Sequence, residues 1–162
     1  MAKAVKTNVL RFLDAERIPY DTVTYDVEDG NFDGKLIAAK TGLDPRMVYK
    51  TLVLTTAKNG HLVCVVPVER ELDLKKVARA ADCKSASMLP QKDLLPLTGY
   101  LRGGCSPIGM KKRFPTYIDA AAAALERISV SAGVRGCQVI LGREDLLRCT
   151  DGQLADLCRE DA

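Results

Sequence analysis

Histidine is nearly absent from this chain: His61 is the only one in 162 residues. A Ser-His-Asp or Cys-His arrangement would have to run through it. It lies beside a predicted hairpin turn, far in sequence from Cys105 and Ser106, and reads as a surface turn residue. No GxSxG elbow, Walker loop, GxGxxG after a strand or HExxH is present. The six cysteines (64, 83, 105, 137, 149 and 158) include no CxxC pair, and the closest two are nine residues apart. Zinc sites usually show paired ligands at short spacing. The cysteines therefore read as structural thiols, with Cys64 in the apolar run LVCVVPV a core residue. No apolar stretch approaches the ~20 residues needed to span a bilayer. The first twenty residues, MAKAVKTNVLRFLDAERIPY, lack the long apolar core of a signal peptide and read as an amphipathic helix, so cytoplasm is the expected location. Repeats, low-complexity tracts and linkers are also missing. An enzyme built on this chain would work without a protein nucleophile, and nothing in it calls for a metal or cofactor.

What remains is an ordinary globular composition, 47% hydrophobic and 28% charged, in a length that can bury one core. One domain over residues 1–162 is expected. Net charge is only +3, but it is unevenly spread. Nine basic residues between Lys75 and Arg113 face only Asp82 and Asp93. Seven acidic residues between Phe12 and Asp33 face only Arg17. Such a chain could steer a polyanion to one face, or simply carry a mixed, solvated surface.

Val5, Val9, Phe12 and Leu13 predict a helix over 3–16. A strand is expected over 18–27 and a turn-rich loop over 29–34. A short helix over 35–40 ends at Gly42, and Asp44-Pro45 begins a further helical turn. Two apolar runs, 47–56 and 61–67, flank Lys58-Asn59-Gly60, a strong hairpin signal. Asp73 is a plausible N-cap for a helix over 73–81. Another short helix is expected over 90–95, strands over 116–118 and 127–131, and a helical turn over 119–125. Residues 138–141 read as the last strand, and 143–149 and 151–159 as closing helices. Interleaved strands and helices predict a mixed α/β (α+β) fold around one sheet.

The most informative stretch is Thr98 to Lys112, TGYLRGGCSPIGMKK. Glycines at 99, 103, 104 and 109 let backbone approach a ligand closely. Successive amide N–H groups in such a loop can hold an oxyanion or a polarised carbonyl. Arg102 and Lys111-Lys112-Arg113 suit a phosphate-bearing partner. The loop, followed by KKRFPTYIDAA, resembles the signature of the YbaK/EbsC family of aminoacyl-tRNA deacylases, relatives of the editing domain inserted in bacterial prolyl-tRNA synthetases. Val48-Tyr49-Lys50-Thr51-Leu52, LDLKKVARA (72–80) and VSAGVRG (130–136) fit the same family in order, so the similarity spans most of the chain.

The resemblance implies a single editing domain with a curved, mostly antiparallel mixed sheet flanked by helices. It also implies an activity, the hydrolytic clearing of mischarged tRNA. In the cysteine-specific members, the thiol of the mischarged cysteine attacks its own ester carbonyl, the tRNA oxygen leaves and a thiolactone forms. Lys50 occupies the family's lysine position, and Gly103 and Gly104 match its glycine pair; these three are the implied catalytic set. Tyr25 and Phe32 align approximately with pocket aromatics. Ser106 could donate a hydrogen bond in the pocket or merely order the loop. Gln138 stands where some cysteine-specific members have aspartate, so no role requiring a carboxylate carries over. Lys75, Lys76, Lys111, Lys112 and Arg113 are candidates for tRNA phosphates, or solvated surface charges. The implied partners are tRNA(Pro) charged with cysteine and prolyl-tRNA synthetase. Other readings are a deacylase for another small amino acid, a non-catalytic module binding aminoacyl-tRNA or synthetase, and an enzyme of free nucleotides.

Overall fold

The structure is a computed structural model that describes residues 6–27, 30, 34–57 and 60–160. Phe32 and Val5, and the Lys58-Asn59 part of the hairpin signal, lie outside the described residues.

The chain opens with helix α1 (Asn8–Ala15), whose Thr7 side chain accepts from the Leu10 amide. Val9, Leu10 and Leu13 form its buried stripe. Strand β1 (Tyr20–Thr24) follows, shorter than the expected 18–27. Helix α2 (Gly34–Thr41) ends before Gly42. A 3-10 turn, Pro45–Met47, is capped by Asp44, whose side chain accepts from the Arg46 amide. The predicted hairpin is present: β2 (Tyr49–Thr56) pairs antiparallel with β3 (His61–Pro67). Helix α3 (Leu74–Ala80) is capped by Asp73, which takes the amides of Lys75 and Lys76.

Beyond α3 the chain makes β4 (Ala86–Met88), a strand too short to show a period. Helix α4 (Leu94–Thr98), reached through a 3-10 turn, ends on Gly99 at φ 86°. The remaining elements are β5 (Thr116–Asp119), a 3-10 turn (Ala120–Ala124) where the helical turn over 119–125 is expected, β6 (Arg127–Ser131), β7 (Cys137–Gly142), α5 (Arg143–Thr150) and β8 (Gln153–Ala155). Two expectations for the end of the chain need correcting. β7 is not the last strand, and residues 151–159 are not a helix. Asp151 takes a left-handed conformation that stops α5, and β8 then joins β5 in parallel. Cys158 goes on to bridge Leu72.

The strands form two ladders rather than one sheet. β1-β7-β6 is antiparallel throughout, and β4-β2-β3-β5-β8 mixes antiparallel and parallel pairs. Among the described residues an isolated parallel bridge, Val48 to Ser129, ties them together. The main core lies between the ladders and α1, built from residues such as Leu13, Val53, Val63, Ile128 and Leu141. A second core under α3 centres on Leu54, Leu62, Val66 and Val77. The expected mixed α/β fold is therefore present. Among the described residues no helix is long and apolar enough to cross a membrane.

Candidate active site

The site begins with a strand edge that the described residues fill only in part. In the β2–β3 ladder the Val68 amide donates to Val48 O and the Thr56 amide to Gly60 O. With Lys50 opposite Val66, the even-numbered residues of β2 spend their backbone groups on β3. The odd-numbered residues face the other edge. There β4 covers only Leu54 to Thr56, and the Leu89 amide takes Val53 O. Among the described residues no strand pairs with the Thr51 amide and carbonyl, which border a cleft of about 720 Å³. Its walls are Lys50 to Val53, Met88, Leu89, Gln91 and Leu94, together with Gly30, Gly34, Arg102, Gly103 and Cys105. The Thr51 hydroxyl is buried there without a hydrogen-bond partner among the described residues. Buried polar groups are rarely left so.

Lys50 is half-buried at this edge. Its charge reaches as far as the Cys158 thiol: burial and the Asp119 carboxylate push that thiol up to about 12, while Arg70 and Lys50 pull the other way.

The glycine loop forms the facing wall, and its geometry divides the glycine pair. Gly103 sits at φ 86°, a left-handed conformation suited to glycine. Among the described residues no backbone carbonyl takes its amide. The Gly104 amide, in contrast, donates to Leu101 O at 2.9 Å, so it is already committed within the loop. Gly104 is glycine for a different reason: a Cβ there would lie 3.0 Å from backbone atoms of Val134 and Arg135. Arg135 Nε donates to Arg102 O at 2.7 Å and Tyr100 Oη to Ile108 O at 2.6 Å, which pins both flanks of the loop.

The other expected site residues fall into three groups. Ser106 is fully buried, and its Oγ accepts from the Ile108 amide at 3.3 Å, so it orders the loop. Gln138 lies in the β7 ladder with its Oε1 accepting from Ser129 Oγ at 2.9 Å; it does not line the cleft. Tyr25 is buried with Ile37, Ala38, Val48 and Val68 beside the start of β2, again outside the lining. Lys75 and Lys76 are on α3, with Lys76 tied to Asp156 at 3.1 Å, and neither lines the cleft. Lys112 and Arg113 line a separate groove. Cys105 is on the cleft wall but is buried, and burial pushes its thiol up to about 12, far from nucleophilic at neutral pH. His61 is half-buried rather than a free surface residue and sits edge-on to Phe114, with ring centroids 5.6 Å apart. Thr51 escaped the sequence reading because only the shortness of β4 exposes it.

The sequence model of the aminoacyl-tRNA editing domain matches residues 35–149. The chain belongs to the aminoacyl-tRNA editing domain family. Both walls of the cleft, β2 and the glycine loop, fall inside the matched residues. EbsC of Enterococcus faecalis, whose assigned name is Cys-tRNA(Pro)/Cys-tRNA(Cys) deacylase, is 42% identical over 156 residues, 96% of this chain and 95% of that protein. Among solved structures, one described as a trans-editing enzyme for prolyl-tRNA synthetase superposes with a TM-score of 0.81 at 22% identity, covering 97% of this chain and all of that one. The hypothetical protein APE2540 superposes with a TM-score of 0.84 at 17% identity, covering 94% of this chain and 100% of its own. Those two likenesses concern the fold.

Proposed function

We propose that this protein is a trans-editing hydrolase that deacylates mischarged tRNA, with Cys-tRNA(Pro) as its substrate and residues 1–162 acting as one editing domain. The observation that carries the reading is the meeting, in one cleft of an editing-domain family member, of a half-buried lysine, an open strand edge and a glycine-loop amide. The cleft has room for the aminoacylated end of a tRNA. The close relation to EbsC favours cysteine as the amino acid.

The chemistry is taken from the substrate. The cysteine thiol attacks its own ester carbonyl, the carbonyl oxygen takes up the negative charge, and the C–O bond to the ribose breaks. The ribose oxygen leaves with the proton that the thiol gave up. Water then opens the thiolactone to free cysteine. Attack within one molecule brings the reactants together in advance, and well-oriented cases reach effective molarities of roughly 10⁵–10⁸ M. The protein has to hold the reactive conformer and stabilise the oxyanion. The Gly103 amide and the Thr51 amide are the donors offered to that oxygen. The Lys50 ammonium stabilises the charge moving onto the ribose oxygen or holds the terminal phosphate. Cys105 takes no covalent part.

Prolyl-tRNA synthetase, in the cytoplasm, is the enzyme whose errors such an activity would clear. The test is the time course of ester loss from cysteine- and alanine-charged tRNA(Pro), with wild type and Lys50→Ala in parallel. Fast loss of cysteine alone, abolished by Lys50→Ala, is the expected result. Loss of alanine at the same rate would make water or a ribose hydroxyl the attacking group. Binding without loss of either ester would make the protein a non-catalytic tRNA-binding module.

A further inference from the structure

The glycine loop has a second side. Gly103 and Cys105 face the cleft just described, whereas Pro107, Gly109 and Met110 turn to a groove beyond it. That groove is two adjoining hollows of about 240 and 390 Å³, which share Phe12, Arg113 and Cys149 as walls. α1 supplies Phe12 and its C-cap residue Glu16, the segment after the loop supplies Lys112, Arg113 and Phe114, and α5 supplies Arg148. Three cations thus face one carboxylate, Glu16. Arg148 is bonded to Asp145 at 2.8 Å, in an exposed pair. Lys112 and Arg113 have no ion-pair partner among the described residues, so their charge is not offset within the groove. Unneutralised cations interleaved with aromatic rings are the footprint of a single-stranded or frayed nucleic acid, with phosphates on the cations and a base or ribose against the rings.

The position makes chemical sense for a large substrate. A cleft of about 720 Å³ takes only the aminoacylated end of an RNA. Six residues of chain, Gly103 to Gly109, separate the two faces of the loop, a span of at most ~20 Å at 3.3–3.6 Å per residue. The groove is therefore within reach of the nucleotides that follow an RNA end held in the cleft.

We propose that the groove between α1, residues 109–114 and α5 binds the RNA strand behind the reactive end, with Lys112, Arg113 and Arg148 on its phosphates and Phe12 and Phe114 under a base or ribose. The proposal rests on the reading of the chain as a tRNA deacylase, since that reading puts an RNA end in the neighbouring cleft. It narrows the basic surface to one groove and leaves α3 out of it.

The test is binding of uncharged tRNA at several salt concentrations by wild type, by K112A/R113A and by R79A/K84A, which removes the same charge from residues that line neither cavity. For K112A/R113A the affinity is expected to fall about tenfold, and the plot of log K against log salt to become shallower by about 1.4–1.8, at ~0.7–0.9 per lost phosphate contact. R79A/K84A should retain the wild-type slope within error. A K112A/R113A slope equal to wild type, an equal loss in R79A/K84A, or no detectable tRNA binding by wild type would overturn the proposal. Ester loss is measured separately. If wild type cleaves no ester while K112A/R113A still binds weakly, the deacylase reading fails and the groove stands. Normal ester loss with unchanged K112A/R113A binding defeats the groove alone. The substituted side chains are exposed, and the urea midpoint of each double variant should equal that of wild type, showing an intact fold.

Discussion

At the scale of single residues, two side chains on the same cleft have opposite expectations. Lys50 is half-buried on a strand whose neighbours are mostly apolar, where a cation is costly unless it has a task or a partner. Lys50→Ala should lower kcat/KM for cysteine release by ~10²–10³, the scale of one lost stabilising group in an acyl-transfer site. Circular dichroism should show the fold unchanged. Cys105 is the residue that a sequence reader would mistake for a nucleophile, because it sits between glycines and next to a serine. Its thiol is buried and held near 12, so it stays protonated at working pH. Cys105→Ala should keep wild-type turnover, and a loss of more than about tenfold, ~1.4 kcal/mol in the barrier, would return a covalent mechanism to consideration.

Individual elements show how the glycine pair divides its work. Gly103 takes a left-handed φ on the cleft wall, and no described backbone carbonyl takes its amide. Gly104 has its amide bonded inside the loop and its α-carbon pressed against the 134–135 backbone. Gly104→Ala must therefore push the loop off that backbone. It should cost about 1–3 kcal/mol, the usual range for overpacking, and be read as a lower urea midpoint accompanied by weaker activity. An unchanged midpoint would mean the loop is loosely held. The sequence made this loop and the β2–β3 hairpin legible because both carry local signals: glycine spacing in one, apolar runs around Asn-Gly in the other. The Asp73 cap was legible for the same reason. The open edge of β2 was not, since it depends on β4 stopping after three residues, a tertiary fact with no local period. Residues 151–159 misled in the opposite way. Their polar-apolar order is compatible with a helix, but Asp151 breaks α5 and pairing with β5 then decides the outcome. Gln138 was legible as a departure from relatives, but its bond to Ser129 inside the β7 ladder was not.

Over the whole molecule, the many buried thiols make a prediction about pH. Burial pushes Cys64, Cys105 and Cys158 up to about 12 and Cys149 up to about 11, from an ordinary 9.0. In the unfolded chain these thiols ionise near 9, while in the folded protein they remain protonated to pH 11 or beyond. A raised folded pKa gives a contribution that is complete below pH 9 and is lost as pH rises toward 12. The urea midpoint should accordingly fall between pH 8 and pH 10.5, and fall less in Cys105→Ala than in wild type. A midpoint equal at both pH values would contradict the burial of the thiols.

In the proposed mechanism the substrate's own thiol does the chemistry, in a cleft that supplies only position and charge. This is tested most directly by comparing ester loss from tRNA(Pro) carrying cysteine with ester loss from the same tRNA carrying serine, which replaces the sulfur with oxygen at nearly the same size. Rapid release of cysteine is expected, with a cyclic thiolactone trapped early in the reaction, and serine release no faster than in buffer. Equal release of both would contradict it, and would place the attacking group on water or the ribose.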